Sequence, residues 1–292
     1  MASGTPTNRT NIDLPVEISQ EIIAKTQEAS AIMRLARQVE LPGRGASIPV
    51  IIGDPQADWV SETGKKPVSN PTLGTKIMRA YKLAVVVPFS KEFLRDSKKL
   101  YDEIVRRLPN ALGLKFDSTV FGNGDKPGDD FDNFASVTAQ SLASDVYGGL
   151  VAADTDIALH GGVLNGFALS PQGRGILLGA TDEQKRPLFI NNVAEGAIPM
   201  VLGAKTLITK GAFKNGSPAQ VAIAGDWTQA LWGTVEGVDL SISEEATLDL
   251  GGGQVIYLWQ QNMVAVRAEI EVGFRADTSV FNKLTATSVP SI

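Results

Sequence analysis

The sequence contains no cysteine and a single histidine, His160, so most of the side chains that build catalytic and metal sites are missing. Disulfide bonds, thiolate nucleophiles and cysteine metal ligands are excluded together. A Ser-His-Asp device would need His160, which stands beside Gly161 and Gly162 in a predicted loop. The nucleophile elbow, the phosphate loop and the dinucleotide fingerprint are absent as well. We therefore interpret His160 as a turn or surface residue and expect no catalytic residue, cofactor or metal.

Long hydrophobic runs are also missing. No stretch approaches the about 18 uninterrupted apolar residues of a membrane span. The first residues have no basic-then-apolar signal pattern, which favours a cytosolic origin. A chain of 292 residues with 43% hydrophobic content can bury a substantial core and fits one large or two ordinary domains.

Lys/Arg-rich runs with interleaved aromatic residues do not occur, which argues against a dedicated nucleic-acid site. The net charge of -5 is nevertheless uneven. Residues 41–88 carry six basic and three acidic side chains, whereas residues 124–292 carry ten and nineteen. This asymmetry fits either ordinary solvated surface or basic arms of one subunit lying on the acidic surface of the next.

Two apolar runs rich in β-branched residues, Ser47–Ile52 and Ile77–Val87, predict the legs of a β-hairpin. The residues between them, 57–67, are polar and contain Trp59. A connection of this length within a compact domain is normally functional or disordered. A two-stranded ribbon is marginal alone in water, so we expect it to rest on another surface.

A long amphipathic helix is predicted from Lys98 to Phe121, because apolar residues recur at every fourth position. Pro109 lies inside it and predicts a kink; the alternative is two helices broken at Asn110. A shorter helix should begin at Pro15 and end before Pro42, after an extended tail over residues 1–13. The apolar positions of the long helix are Leu100, Ile104, Leu108, Leu112, Phe116 and Val120.

The segment after this helix begins with Gly122, Asn123 and Gly124, which should terminate it. Four aspartates follow and offer a metal loop as an alternative to a solvated loop, although their spacing is not that of an EF-hand. Gly251–Gly253 reads as a hairpin tip rather than a ligand cradle. The four aspartates are Asp125, Asp129, Asp130 and Asp132.

Residues 136–239 read as one α/β unit, in which a strand over Val163–Leu169 precedes Ser170 as helix N-cap and Pro171 at the first helical position. Strict alternation then predicts a strand over 264–275. Its apolar face should pack on the long helix. Its charged face should meet solvent or a neighbouring subunit; the charged residues are Arg267, Glu269, Glu271 and Arg275.

The pattern Ala57-x-Trp59-Val60-x-Glu62, followed by Leu83–Pro88 and Phe89–Ser97, resembles the extended loop and following segment of tailed-phage major capsid proteins with the HK97-like fold. Five further features match that family's axial domain in order. They are the strand at 163–169, Ser170-Pro171, Asp182 to Phe189, Val201-Leu202-Gly203 and Gly225-Asp226-Trp227. The runs 263–269, 273–275 and 281–284 resemble its closing strand and tail, so the resemblance extends from Leu14 to Leu284.

This resemblance implies an α+β, HK97-like capsid fold. It divides the chain into an N-terminal arm (1–40), an extended β-hairpin loop (41–88), a peripheral domain with the spine helix and a β-sheet (89–135 and 240–280), and an axial α/β domain (136–239 and 281–292). The implied function is a major capsid protein that assembles into pentamers and hexamers of an icosahedral phage head enclosing double-stranded DNA. An encapsulin-type compartment shares this fold and is the alternative; a soluble α/β enzyme is a remote one.

The expected site is therefore one of contact between subunits. Trp59 would anchor the hairpin on a neighbour, unless it folds back on its own ribbon. Other contact candidates are Glu62, Lys65, Lys66 and Arg79. Some relatives harden their shells by an isopeptide bond, for which Lys65 or Lys66 with Asn262 or Asn282 are the candidates. Pro109 and Gly113 are hinge candidates for shell expansion.

The implied partners are the chain itself and the packaged double-stranded DNA, contacted non-specifically. They also include a possible scaffold, portal, maturation protease and decoration proteins, with no membrane. The implied location is the virion capsid, after assembly in the host cytoplasm.

Overall fold

The computed structural model describes residue 26 and residues 29–41, 47–52, 74–94, 97–182, 184–189, 200–235 and 239–287. Five α-helices are bounded within these residues: α1 (Ala31–Leu35), α2 (Lys91–Leu94), α3 (Ser97–Val120), α4 (Val146–Leu159) and α5 (Pro171–Gly179). Three single-turn 3-10 helices lie at Lys210–Ala212, Trp227–Gln229 and Thr278–Val280. None of these described helices is long and apolar enough to span a membrane. The mixture of helices and sheets confirms the predicted α+β class.

Fifteen strands lie in the same described ranges. They are β1 (Arg37–Glu40), β2 (Ser47–Ile52), β3 (Gly74–Arg79), β4 (Tyr81–Ser90), β5 (Thr138–Ser141), β6 (Gly166–Leu169), β7 (Met200–Val201), β8 (Ala204–Ile208), β9 (Ala219–Gly225), β10 (Ala230–Thr234), β11 (Asp239–Ser243), β12 (Thr247–Gly251), β13 (Gln254–Tyr257), β14 (Met263–Ala276) and β15 (Phe281–Ala286).

The chain forms two compact units. The first contains residues 1–26, 82–112 and 236–271, and the second contains 27–81, 113–235 and 272–292. Helix α3 and strand β14 each continue from one unit into the other.

The first unit is built on the N-terminal half of β14, which pairs antiparallel with β11 and also pairs with β4. Leu108 and Leu112 of α3 are buried against Val266, Ala268 and Ile270 of β14. The predicted packing of the apolar strand face on the long helix is therefore confirmed. Strands β12 and β13 form a separate two-stranded sheet in this unit.

The tip of the β12–β13 sheet is Gly251–Gly253, where φ is +81°, +63° and +81°. L side chains rarely adopt such angles, and glycine adopts them at no steric cost. The predicted hairpin tip is confirmed.

The second unit contains a six-stranded sheet in the order β5-β15-β9-β6-β8-β7. Helix α4 packs on β5, β15 and β9, and α5 packs on β9. Ser170 caps α5, since its Oγ accepts the Gly173 N–H at 2.9 Å, and Pro171 occupies the first helical position. The predicted start of this helix is confirmed.

Strand β10 pairs antiparallel with the C-terminal half of β14, and β1 pairs parallel with β10. The helix predicted to reach Pro42 instead ends at Leu35, so the prediction is wrong for Arg37–Glu40. These residues form β1 because the pairing with β10 places Val39 and Leu41 against the buried Leu231. Tertiary pairing here outweighs local helical periodicity.

Aromatic side chains make up the core of the second unit. Phe116 and Phe131 lie edge to face at 6.3 Å between ring centroids, and Phe134 lies 4.5 Å from Phe281. Phe274 contacts Phe116, Phe131 and Phe134. Residues 113–135 and 272–280 were predicted to belong to the peripheral domain. They group with the second unit because these rings pack together there.

Strands β2 and β3 form the predicted hairpin ribbon, antiparallel, with Ile52 opposite Gly74. The predicted second leg, Ile77–Val87, is divided at Ala80. Strand β3 ends at Arg79 and pairs with β2, whereas β4 pairs with β14. The apolar run contributes to two separate hydrophobic clusters. Met78 is buried beside Leu41, whereas Leu83 packs against the cluster that Leu108 and Leu112 form with β14.

Helix α3 is continuous from Ser97 to Val120, so the alternative of two helices broken at Asn110 is wrong. Of its predicted apolar stripe, Leu108, Leu112, Phe116 and Val120 are buried, and the side chains of Leu100 and Ile104 lie outside the described ones. Gly122 follows with φ +85° and ends the helix as expected.

Candidate assembly site

Asp117 is the most deeply buried charged residue described in α3, with no exposed surface. Its Oδ1 accepts the Ser30 hydroxyl at 2.6 Å and the Ile32 N–H at 3.3 Å. Its Oδ2 accepts the Ala31 N–H at 2.9 Å and the Thr209 hydroxyl at 2.9 Å. One carboxylate thereby joins the start of α1, helix α3 and the segment after β8.

Ser30 has a second role in this cluster, because its Oγ accepts the Met33 N–H at 3.1 Å and caps α1. Gly211 lies on the other side of Asp117, and a Cβ added there would come within 2.9 Å of the Asp117 Cβ. This close approach requires glycine at position 211. We call the set Ser30, Ala31, Ile32, Asp117 and Thr209 the Asp117 cluster.

Burial raises the pKa of Asp117 above its ordinary value of 3.8. Hydrogen bonds from Ser30, Ala31, Thr209 and Ile32 act in the opposite direction, since they favour the ionised form, but burial outweighs them. None of the donors is itself titratable.

A charged cluster surrounds Arg275 of β14, whose side chain is only 8% exposed. Its guanidinium contacts Asp130 at 2.8 Å and Asp132 at 3.2 Å, and its Nε donates to the Ile77 carbonyl at 2.6 Å. Lys76 of β3 contacts Asp132 at 2.9 Å. We call Lys76, Asp130, Asp132 and Arg275 the Arg275 cluster.

The Arg275 cluster contradicts the predicted exposure of Arg275 and bears on the metal loop considered for the four aspartates. Arg275 was expected to face solvent or a neighbour, but the base of the β2–β3 hairpin covers it. Two of the four aspartates considered for a metal loop pair instead with Arg275, and Lys76 also contacts Asp132. Among the described residues, no group of three or more His, Asp or Glu side chains could hold a metal ion.

The predicted contact residues Trp59, Glu62, Lys65 and Lys66 lie outside the described residues, so their contact roles stay predictions. Arg79 is described: it is exposed at the end of β3, opposite Ser47.

The two asparagines proposed for a crosslink differ in access. Asn282 is completely buried, and its Nδ2 donates to the Asp156 carboxylate at 2.9 Å and to the Ala153 carbonyl at 3.3 Å. Asn262 is exposed in the turn before β14 with φ +53°, and its carbonyl accepts the Lys91 N–H. Only Asn262 is placed where another chain can reach it.

The hinge candidates both lie within α3. Pro109 is inside the continuous helix, and Gly113 is buried directly after Leu112, where the first compact unit ends. Glycine inside a helix costs about 1 kcal/mol relative to alanine, so position 113 is a locally weak point.

His160 follows the last residue of α4, and its Nδ1 lies 2.8 Å from the Asp156 carbonyl. It is exposed, as expected for a turn or surface residue. An open cleft in the second unit is lined mainly by Asn123, Lys126, Asn133 and Lys214, and contains one carboxylate, Asp125.

Several exposed apolar side chains lie on surfaces that were not predicted from the sequence. In the first unit, Trp259 is 75% exposed, beside Tyr257 and Leu250 of the β12–β13 sheet. In the second unit, Leu159 at the end of α4 is 79% exposed. The periodicity of a sequence shows that an element has apolar residues on one side. Which further apolar residues stay exposed can be known only from the structure, after the buried side has been identified.

Solved structures from a phage and from a capsid of a GTA particle have a similar fold. A chain from Mycobacterium phage Adephagia matches with a TM-score of 0.68 at 20% identity, covering 90% of this chain and 91% of that one. A chain from the capsid of an empty GTA particle matches with a TM-score of 0.59 at 16% identity, covering 98% and 96%. The fold is therefore the HK97-like capsid fold expected from the sequence.

Sequence comparison defines the family. The profile of the Phage capsid family matches residues 12–279, and the chain belongs to this family. The probable major capsid protein gp17 of Mycobacterium phage D29 is 28% identical over 93% of this chain and 89% of its own length. The major capsid protein of Staphylococcus phage 80alpha is 26% identical over 92% and 83%. This is a family of structural capsid proteins.

Proposed function

We propose that this chain is the major capsid protein of a tailed phage, which assembles with itself into pentamers and hexamers of a closed icosahedral shell enclosing double-stranded DNA. The observation that carries the proposal is the family match over residues 12–279, because it includes the hairpin, the long helix and both compact units. The curated relatives named above are phage proteins, which favours this function over the encapsulin alternative.

On this proposal the first compact unit contributes the peripheral domain and the six-stranded sheet of the second unit contributes the axial domain. The arm and the hairpin overlap neighbouring subunits. The Arg275 cluster supports the hairpin role, because it fixes the base of β3 to β14. The ribbon thus leaves the subunit from a rigid base, as a strap between subunits requires.

Trp59 and Glu62 would contact the neighbour from the hairpin, with Lys65, Lys66 and Arg79 as further contacts. If a covalent crosslink forms, Lys65 or Lys66 would join Asn262 rather than the buried Asn282. Denaturing electrophoresis of assembled particles checks this, because monomer bands alone exclude the bond. Bending of α3 at Pro109 or Gly113 would accompany shell expansion, and identical helix curvature before and after expansion would exclude it.

The remaining partners follow from the same role: a scaffold, a portal, a maturation protease, decoration proteins and non-specifically contacted DNA. The site of action is the virion capsid, after assembly in the host cytoplasm.

Negative-stain microscopy of the purified full chain tests the function. Uniform closed shells are the expected result, and a population of dispersed monomers under all assembly conditions would contradict it.

A further inference from the structure

Helix α4 is apolar on two sides. Leu150, Ala153 and Ile157 are completely buried against the six-stranded sheet. Outside this buried stripe, Tyr147 is 52% exposed, Val151 38% and Leu159 79%, and Thr155 is exposed among them. A surface helix normally presents a polar outer face, and a helix that is apolar all round is normally covered on all sides.

The charges on this helix have one sign. Residues 145–159 contain three aspartates and no lysine or arginine. Asp145 caps the helix, and Asp156 accepts from the Asn282 amide at 2.9 Å, so both act within the subunit. Asp154 is exposed and lies three residues from Val151, beside the outer apolar side. We call Tyr147, Val151, Asp154 and Leu159 the α4 surface.

The other end of the same sheet has a second exposed apolar surface. Met200 is 60% exposed, Leu202 40% and Ile208 48%, on and beside β7 and β8. Two exposed lysines, Lys205 and Lys210, accompany them. Residues 200–210 contain no aspartate or glutamate, so this edge, which we call the β7–β8 surface, is basic.

The order of the strands separates the two surfaces. Helix α4 covers the β5-β15-β9 end, and β7 is the last strand at the other end in the described part of the chain. Both belong to one compact unit. Different surfaces at opposite ends of one body permit head-to-tail association, which produces closed rings when the rotation closes.

We propose that the α4 surface of one subunit packs on the β7–β8 surface of the next, with Asp154 facing the Lys205 side, and that this repeated contact closes the capsomer ring. The inference rests on the proposed capsid function and names the surfaces that perform it. Symmetric pairing of two α4 surfaces is disfavoured, because it would bring together two surfaces that carry acidic and no basic side chains.

Reciprocal charge reversal tests the contact. Asp154→Lys and Lys205→Asp each place like charges in every contact, whereas the double variant restores opposite charges. An exposed pair changes the association constant of each contact about two- to fivefold, so the constant for forming a ring of six contacts falls roughly 60-fold or more. Because six subunits enter each ring, the subunit concentration at which rings form should rise about two- to sevenfold. The measurement is the subunit concentration at which light scattering and negative-stain microscopy detect assembly.

Matched controls distinguish loss of the contact from effects of altered net charge or of misfolding. Lys185 is exposed and lies outside both surfaces. Asp154→Lys combined with Lys185→Asp has the same composition as the reciprocal double variant and should not restore assembly. Circular dichroism and thermal unfolding of the dispersed subunits should match the wild type for every variant.

Mixing the two single variants gives a sharper readout. Alternating subunits satisfy every contact in a ring of six, but a ring of five always retains one like-charge contact. The mixture should therefore form hexamers with few closed shells, whereas the double variant should form closed shells.

Assembly of either single variant at the wild-type concentration would overturn the inference. So would a double variant no better than the singles, or rescue by Lys185→Asp. If the wild-type chain itself never forms shells, the proposed function fails, which is a different result from normal shells formed by the single variants.

Discussion

Replacing Asp117 by alanine removes the acceptor on which the start of α1 depends. Two backbone donors, Ala31 N–H and Ile32 N–H, lose their partner inside the protein. The hydroxyls of Ser30 and Thr209 lose the same partner but can rotate toward other acceptors. The perturbation is therefore concentrated on two amides that cannot move without unwinding the helix start.

The magnitude follows from these contacts. A buried donor left without a partner costs about 1–3 kcal/mol. The Ile32 contact is long, at 3.3 Å, and loss of the buried carboxylate relieves part of its desolvation cost. We expect Asp117→Ala to lower the free energy of unfolding by about 2–3 kcal/mol, a large fraction of the about 5–15 kcal/mol typical of a domain.

Urea unfolding of the dispersed full-length subunit, followed by circular dichroism, measures this loss. Thr119→Ala is the matched control, because the Thr119 hydroxyl bonds only to the Lys115 carbonyl of its own helix, at 3.0 Å among the described contacts. Hydrogen exchange should show faster exchange at residues 31 and 32 in Asp117→Ala alone. Unchanged exchange at these amides together with a loss below about 0.5 kcal/mol would refute the role of the Asp117 cluster.

Three further predictions use the same subunit. Because burial raises its pKa above 3.8, native Asp117 binds a proton more readily than the unfolded chain; its contribution is present at low pH and lost as pH rises through the native pKa. The free energy of unfolding of the wild type minus that of Asp117→Asn should therefore be larger at pH 4 than at pH 7. A smaller value at pH 4 in urea titrations would contradict this prediction. Arg275→Ala should cost about 2–4 kcal/mol, reduced by the 38% exposure of Asp130, with the surface variant Arg267→Ala as control. Equal unfolding midpoints for the two arginine variants would exclude the support given to the hairpin base. Trp59→Ala should leave a folded subunit that fails to form closed shells in negative stain, and normal particles would remove Trp59 from the contact.

The elements predicted correctly share a strong local signal. The stripe through Leu108, Leu112 and Phe116 follows one helical face, and Ser170-Pro171 combines an N-cap with a residue that favours the first helical position. The alternation in β14 placed its apolar side correctly on α3. Each of these signals is contained within one helix or strand, so these predictions did not depend on knowing which distant segment packs against it.

The missed features depend on partners distant in sequence. Arg275 has the pattern of a solvent-facing residue, and only the arrival of β3 about 200 residues earlier in the chain buries it. Strand β1 pairs with β10 across a similar separation. Asp117 looked like a polar position on a helix, because nothing local indicates that Ser30 and Thr209 converge there. The contact role of Trp59 remains a prediction.

The position of the Arg275 cluster has a consequence for how subunits respond to salt. Exposed charges lose most of their mutual attraction within a screening distance of about 8–10 Å at physiological ionic strength, whereas buried pairs are screened much less. Arg275 is 8% exposed and Asp132 14%, so we expect the base of the hairpin to remain attached to β14 in concentrated salt. In the proposed shell, salt should therefore weaken the exposed charges between subunits first, and a subunit released in this way should retain its hairpin base in the arrangement needed for reassembly.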